Sequence, residues 1–262
     1  MNGISIRRRI ALDIARSLRK SQEEEHPLRQ LFWECTLRCN LRCLHCGSDC
    51  KQVASTPDMP KEDFFKVLDS IAANTDPHKV FVIVSGGEPT MRADLEECGK
   101  GIYSRGFPWG MVTNGFGMTK ERFSRLLGAG LHSMTVSLDG LQENHDWLRG
   151  REGSFTRAAE TIRMAIGSGI AFDVVTCVNR RNFSQLSQLK EFLIGLGLKE
   201  WRLFSIFPQG RAALDPDLQL PPEMFRGMLD FIKATRKEGR IKASYGCEGF
   251  LGPYEGDVRD HF

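Results

Sequence analysis

The sequence lacks any long hydrophobic run. The longest obvious one, residues 80–84, is far shorter than the roughly 20 residues that a membrane-spanning helix needs. It also lacks an excess of one charge, because 36 Lys and Arg residues against 33 Asp and Glu residues leave a formal net charge of +3. We expect no secretory signal either, since Asp13 and Arg16 interrupt the candidate apolar stretch. We therefore expect a cytoplasmic protein with no transmembrane segment and no nucleic-acid partner.

Disulfide bonds are excluded as the main support of the fold. Eight cysteines are too few to hold 262 residues together, and five of them fall between Cys35 and Cys50. In a chain without a secretory signal, such a cluster indicates metal binding.

From residue 31 onward, short β-like runs alternate with helical stretches, which predicts βα units and a parallel sheet. The predicted strands are residues 31–36, 79–84, 109–113, 133–138, 172–178 and 201–207, and the predicted helices are 61–74, 92–104, 120–127, 155–168, 183–196 and 223–238. Six units fall short of the eight that close a barrel, so we expect an α/β fold of the partial (β/α)6 barrel type. A flat doubly wound sheet is the competing fold.

Two terminal regions flank the predicted core domain, residues 31–238. Residues 1–30 form a basic amphipathic helix and a lead-in, because Ile10, Ile14 and Leu18 recur every four residues among arginines. We expect this helix to pack on the body, with docking to a membrane surface or RNA as the alternative. Residues 239–262 have no clear periodicity, and we expect them to begin a C-terminal extension of a longer natural chain.

The most informative segment is the cysteine loop, residues 39–46. Cys39, Cys43 and Cys46 have the spacing C-x₃-C-x₂-C, and soft thiolates suit iron–sulfur clusters or zinc. Three thiolates can hold three irons of a four-iron cluster and leave the fourth iron open to another ligand. The alternatives are a zinc site that adds His45 and a four-cysteine cluster that adds a neighbouring cysteine, Cys35 or Cys50.

A Gly-Gly-Glu-Pro turn, residues 86–89, follows the second predicted strand. Gly86 and Gly87 let the backbone approach a ligand closely, and the carboxylate of Glu88 before Pro89 suits an ammonium group. Polar side chains also follow the next strands, at the edge where parallel α/β folds bind ligands. These side chains are Thr113, Asn114, Ser137, Asp139 and Asn179.

The cysteine spacing, followed about 40 residues later by Gly-Gly-Glu-Pro, resembles the radical S-adenosylmethionine (SAM) superfamily. Residues 137–140, 145–146, 149–150 and 153–155 resemble its peptide and protein maturases, which usually carry a cysteine-rich C-terminal extension, the SPASM domain. The resemblance covers roughly residues 31–210. His45 departs from it, since the residue before the last cysteine is usually aromatic.

The resemblance implies a [4Fe–4S] cluster held by Cys39, Cys43 and Cys46, with SAM at the open iron. The Gly-Gly-Glu-Pro turn would then hold the amino group of SAM. Contacts to its adenine, ribose and carboxylate are expected from Thr113, Asn114, Ser137, Asp139, Arg149 and Asn179. For Arg149, stabilisation of the loop after the fourth strand is the alternative.

The implied activity is reductive cleavage of SAM to a 5′-deoxyadenosyl radical, which abstracts a hydrogen atom from a substrate. We expect an oxidoreductase or maturase that acts on a peptide or protein side chain, with flavodoxin or ferredoxin as electron donor. A small-molecule substrate, such as a cofactor precursor, is the enzymatic alternative. A non-enzymatic iron–sulfur module for electron transfer is the alternative from another class.

Overall fold

A computed structural model describes residues 5–260 except 248 and 250. Its seven strands form one parallel sheet in chain order: β1 Gln30–Thr36, β2 Phe81–Gly86, β3 Trp109–Thr113, β4 Leu131–Ser137, β5 Ala171–Val178, β6 Glu200–Ser205 and β7 Lys242–Tyr245. Because β1 and β7 stand at opposite ends of this order and do not pair, the barrel is open. The predicted partial barrel is therefore confirmed, with seven strands in place of six.

The helices follow the predicted alternation. They are α1 Ile6–Glu25, α2 Lys61–Ala72, α3 Leu95–Tyr103, α4 Lys120–Gly128, α5 Gln142–Arg149, α6 Ser154–Ile166, α7 Leu186–Leu196 and α8 Pro222–Glu238. Local signals set several of their ends. The Thr119 hydroxyl accepts a hydrogen bond from the Arg122 N–H at 3.2 Å at the start of α4, and Gly239, with φ 76°, ends α8.

One face of the sheet is packed and the other is open. In β1, Trp33 and Cys35 are buried on the packed face, where Trp33 stacks on Phe64 of α2 with ring centroids 3.9 Å apart. The alternate residues point to the inner face of the barrel, where Phe32 is 64% exposed and Glu34 is exposed as well. A closed barrel fills its interior with side chains. Here the inner face stays accessible, which leaves room for a ligand.

The structure corrects the sequence prediction in two places. β7 lies in the tail without periodicity, because a strand of four residues is too short for a periodic signal, yet it pairs with β6. α5 occupies residues that were expected to form a loop, because its sequence is mostly polar and only one side, which includes His145 and Leu148, is buried. The sheet thus continues past residue 238, and Arg149 ends a helix.

The predicted N-terminal helix is present as α1, but its aliphatic stripe does not pack on the body. Ile10, Ile14 and Leu18 are about half exposed, and Arg8 joins the helix to the body through an ion pair with Asp257. The expected packing of this stripe is therefore wrong. Within the described residues, no helix combines the length and the apolar character that crossing a membrane requires.

Candidate metal centre and cofactor site

The three thiols of the cysteine loop lie together in a small apolar cluster with Leu41 and Cys50. Cys39 and Cys43 are each 8% exposed, Cys46 is half-buried, and all three are free. Burial raises the pKa of Cys39 to about 12 and also raises that of Cys43, so ionising these thiols alone is costly. A metal ion offsets this cost, because it replaces the thiol proton. The donor set therefore fits an iron–sulfur cluster.

The two neighbouring cysteines differ in position. Cys35 belongs to the main core on the packed face of β1, near Cys98 and Arg92, where burial raises its pKa. Cys50 instead contacts the thiol of Cys46 within the apolar cluster of the loop. The sequence predicts Cys35 as a packing residue, which the structure confirms. Cys50 lies closer to the three thiols than its expected role of bystander implies.

The glycines of the Gly-Gly-Glu-Pro turn allow close approach to the chain that enters the cysteine loop. The Gly87 N–H donates to the carbonyl of Thr36 at 2.7 Å, and the Glu88 N–H donates to the carbonyl of Arg38 at 2.9 Å. A Cβ on Gly86 would lie 2.2 Å from the Thr36 oxygen, and one on Gly87 would lie 2.3 Å from the Arg38 oxygen. These glycines thus dock the loop onto β2, a role that the sequence does not predict.

Glu88 is a buried carboxylate that joins the turn to β3. Its Oε1 accepts from the Thr90 N–H at 3.1 Å, the Thr90 hydroxyl at 2.8 Å and the Thr113 hydroxyl at 2.8 Å. Its Oε2 accepts from the Asn114 N–H at 2.7 Å. Only Oε2 keeps clear acceptor capacity for an ammonium group. The Thr113 hydroxyl donates its hydrogen to this network. Its predicted contact to SAM stays a prediction.

The side chain of Asn114 bonds the cysteine loop. Its Nδ2 donates to Asn40 Oδ1 at 2.8 Å and lies 3.9 Å from Cys39 Sγ, while its Oδ1 accepts from the Phe116 N–H at 2.8 Å. The structure therefore places the amide against a candidate cluster ligand. A contact from Asn114 to SAM also stays a prediction.

Asp139 and Arg149 form a buried ion pair beside Cys43. Arg149 Nε donates to Asp139 Oδ2 at 2.6 Å, and its Nη1 lies 3.7 Å from Cys43 Sγ. Asp139 Oδ1 accepts from the Cys177 N–H at 2.8 Å. Burial alone would raise the pKa of Asp139, but the charge of Arg149 and two histidines holds it below its usual value. The pair thus ties α5 and β5 to the cysteine loop.

Ser137 and Asn179 differ in how many hydrogen bonds their side chains make. The Ser137 hydroxyl is half-buried at the end of β4 and has no hydrogen bond among the described residues. Asn179 Oδ1 accepts from the N–H groups of Arg181 and Asn182 at 2.9 and 3.1 Å, whereas its buried Nδ2 has no partner. Each therefore offers a ligand one unsatisfied polar group.

Arg211 is a residue of the site that sequence reasoning misses. Its Nε donates to the carbonyl of Cys43 at 2.7 Å, and its Nη1 donates to the carbonyl of Cys50 at 3.1 Å and to Asp49 at 2.6 Å. The preceding Gly210, with φ 58°, packs so closely that a Cβ would lie 2.3 Å from the carbonyl oxygen of Gly47. The available signal is a Gly-Arg pair shortly after the sixth strand, at the edge that carries the other site residues.

The Radical SAM superfamily profile matches residues 33–193, which is most of the sheet and the whole of the candidate site except Gly210 and Arg211. The chain belongs to the radical SAM superfamily. Enzymes of this superfamily use a [4Fe–4S] cluster and SAM, which agrees with the soft donor set of the cysteine loop.

Three curated relatives carry different names. An AdoMet-dependent heme synthase of Methanosarcina barkeri is 29% identical over 84% of this chain and 62% of its own length. A PqqA peptide cyclase of Rhizobium meliloti is 25% identical over 86% of this chain and 64% of its own. A probable GTP 3′,8-cyclase of Saccharolobus islandicus is 32% identical over 72% of this chain and 60% of its own. The chain thus spans about three fifths of these relatives.

Two solved structures share the fold of this radical SAM chain. One is Streptococcus suis SuiB bound to S-adenosylmethionine, with a TM-score of 0.69 at 15% identity. The match covers 96% of this chain and 58% of the SuiB chain. Native anSMEcpe with bound AdoMet has a TM-score of 0.70 at 18% identity and covers 83% of this chain and 64% of its own.

Proposed function

We propose that Cys39, Cys43 and Cys46 hold a [4Fe–4S] cluster with one open iron, and that the protein cleaves SAM reductively to act on a substrate. When bound, the cluster supplies the electron that converts SAM into methionine and a 5′-deoxyadenosyl radical. The observation that carries the proposal is the docking of a loop with two buried thiols and one half-buried thiol onto the Gly-Gly-Glu-Pro turn, through backbone bonds at Gly87 and Glu88.

The chain's own residues would orient SAM beside this loop. Glu88 Oε2 and the neighbouring carbonyls would accept hydrogen bonds from its amino group, while the free Ser137 hydroxyl and the unpartnered Nδ2 of Asn179 would bind polar groups of the ribose or carboxylate. Arg149 contributes positive charge beside Cys43, and its ion pair with Asp139 keeps the guanidinium in place. Ordering SAM in this way fixes the direction in which the radical meets a substrate.

We propose a peptide or protein side chain as the substrate. The inner face of the open sheet can admit an extended chain, because Phe32 is exposed there and Glu34 carries an exposed carboxylate. An ion pair between Arg202 and Asp173 adds charged groups of both signs to this face. Solved structures with the same fold include SuiB bound to precursor peptide SuiA, which supports this choice. Flavodoxin or ferredoxin is the proposed electron donor.

A small-molecule substrate is the second candidate, favoured by the named activities of the curated relatives, which include heme synthases and a probable GTP cyclase. Deuterium-labelled peptides and labelled small molecules, each supplied with SAM and reductant, separate the two. The true substrate class transfers deuterium into 5′-deoxyadenosine. Transfer from a small molecule and from none of the peptides would sink the peptide proposal.

Anaerobic reconstitution tests the proposed cluster site. Alanine at Cys39, Cys43 or Cys46 should abolish a bound four-iron cluster, whereas the matched variant Cys35→Ala should retain it, because Cys35 lies on the packed face of β1. Under dithionite, the wild type should convert SAM into 5′-deoxyadenosine. Retention of the cluster in any of the three loop variants would refute the ligand set. A cluster that leaves SAM intact would favour the electron-transfer module.

A further inference from the structure

Each thiol of the cysteine loop has a polar partner from another part of the chain: N–H donors lie near Cys39 and Cys43, and the thiol of Cys50 lies beside Cys46. The three partners come from the loop after β3, from the end of α5 and from the segment that follows the cysteine loop. The pairs are Asn114 with Cys39, Arg149 with Cys43, and Cys50 with Cys46.

The amide of Asn114 has three partners. Its Nδ2 donates to Asn40 at 2.8 Å and lies 3.9 Å from Cys39 Sγ, and its Oδ1 accepts from the Phe116 N–H at 2.8 Å. The bond at Oδ1 determines which side of the amide faces the sulfur. An N–H therefore points at Cys39.

The guanidinium of Arg149 is fixed by its carboxylate partner. Nε donates to Asp139 at 2.6 Å, and Nη1 lies 3.7 Å from Cys43 Sγ. Both side chains are buried, and the positive charge of Arg149 lies beside the sulfur while Asp139 holds the guanidinium in place. Arg149 therefore brings both a positive charge and a directed N–H donor to Cys43.

The thiol of Cys50 completes the set. Cys50 is 6% exposed, and its carbonyl accepts from Arg211 at 3.1 Å, which holds the residue against the cysteine loop. Its side chain contacts the Cys46 thiol. An S–H group is a weak hydrogen-bond donor, so Cys50 suits the role of donor to the sulfur of Cys46.

We propose that Asn114, Arg149 and Cys50 form a hydrogen-bond shell, with one donor for each cluster thiolate, which raises the reduction potential of the cluster. The proposal rests on the three-cysteine ligand set proposed above. Donors to the sulfurs withdraw electron density and so favour the reduced cluster, which carries one more negative charge. These residues therefore act through the cluster ligands and not on the substrate, and they are positioning residues.

Redox titration of the reconstituted protein in the absence of SAM tests this shell, with the reduced cluster quantified by electron paramagnetic resonance. Cys50→Ala and Asn114→Ala should each lower the equilibrium constant for reduction by about three- to tenfold, where tenfold equals 59 mV for a one-electron couple. Cys50→Ser keeps a hydroxyl donor and should recover most of the loss. Cys35→Ala, the matched control, should titrate like the wild type.

The outcomes separate this inference from the proposed function. If Cys50→Ala retains about four irons and titrates at a lower potential, the donor role is supported. Loss of iron in this variant would make Cys50 a ligand and overturn the shell. Wild-type potentials in both Cys50→Ala and Asn114→Ala would overturn it as well. The three-cysteine ligand set is tested separately. It fails if the cluster is retained when Cys39, Cys43 or Cys46 is replaced by alanine, and the measured potentials do not affect that result.

Discussion

Gly87 lies where the Gly-Gly-Glu-Pro turn meets the chain that enters the cysteine loop, and a side chain has no room there. Its Cβ would lie 2.3 Å from the carbonyl oxygen of Arg38, an atom that also accepts the N–H of Glu88. A substitution at this residue must therefore displace backbone rather than a flexible side chain.

We expect Gly87→Ala to reduce both the iron content after reconstitution and the free energy of unfolding, the latter by about 1–3 kcal/mol, because the loop must move away from β2. Iron analysis and chemical denaturation measure the two effects. Gly195→Ala is the control, since no atom lies within 4 Å of its added Cβ. Full iron loading at wild-type stability in Gly87→Ala would contradict the docking role.

His145 makes the stability of the cluster-free protein sensitive to acid. Its Nδ1 accepts from the Asp139 N–H at 3.0 Å, and burial lowers its pKa to about 4. The unfolded chain binds the proton near pH 6.5, so the contribution of His145 to stability is lost as the pH falls from 6.5 to about 4.

Denaturation of the cluster-free protein at several pH values between 7 and 4 measures this loss. His145→Asn keeps an acceptor near Asp139 but cannot titrate, so we expect a flatter dependence of the unfolding free energy on pH. An unchanged slope in His145→Asn would show that another group causes the acid sensitivity.

At the scale of elements, a short 3₁₀ helix after β6, Gly210–Leu214, clamps the cysteine loop. Arg211 donates from its side chain to the carbonyls of Cys43 and Cys50, and its N–H donates to the carbonyl of Cys46 at 2.9 Å. A planar fork of donors is needed to reach several acceptors at once.

We expect Arg211→Lys, which keeps the charge but loses the fork, to release iron to a chelator several times faster than the wild type. Arg180→Lys is the matched control, because Arg180 is exposed and binds the carbonyl of Gln219 on the surface. Equal rates of iron release from the wild type and Arg211→Lys would show that Arg211 does not stabilise the cysteine loop.

The elements that could be predicted from the sequence are those with strong periodicity and clear ends. β3 has the predicted bounds, and α8 ends at the predicted residue, 238. β7 and α5 could not be predicted, since one is four residues long and the other is mostly polar. At the site, spacing alone brings the three cysteines together, whereas the donors Asn114, Arg149 and Cys50 reach them through tertiary packing that no local pattern encodes.

At the scale of the whole molecule, the two faces of the open sheet have different roles. The packed face carries the core, and the inner face remains accessible beside the cysteine loop. A radical must be kept from water and reductant until it meets its substrate. We therefore expect the substrate to cover the inner face, with Glu34 and the Arg202–Asp173 pair as its charged neighbours.

The central claim is that the cysteine loop holds a cluster with one iron open to SAM. The most direct measurement is the electron paramagnetic resonance spectrum of the reduced, reconstituted protein with and without SAM. We predict that SAM shifts the spectrum in the wild type and in Cys50→Ala alike, because SAM binds the open iron and Cys50 is not one of the three ligands. A spectrum that SAM leaves unchanged in a fully loaded wild type would contradict the account.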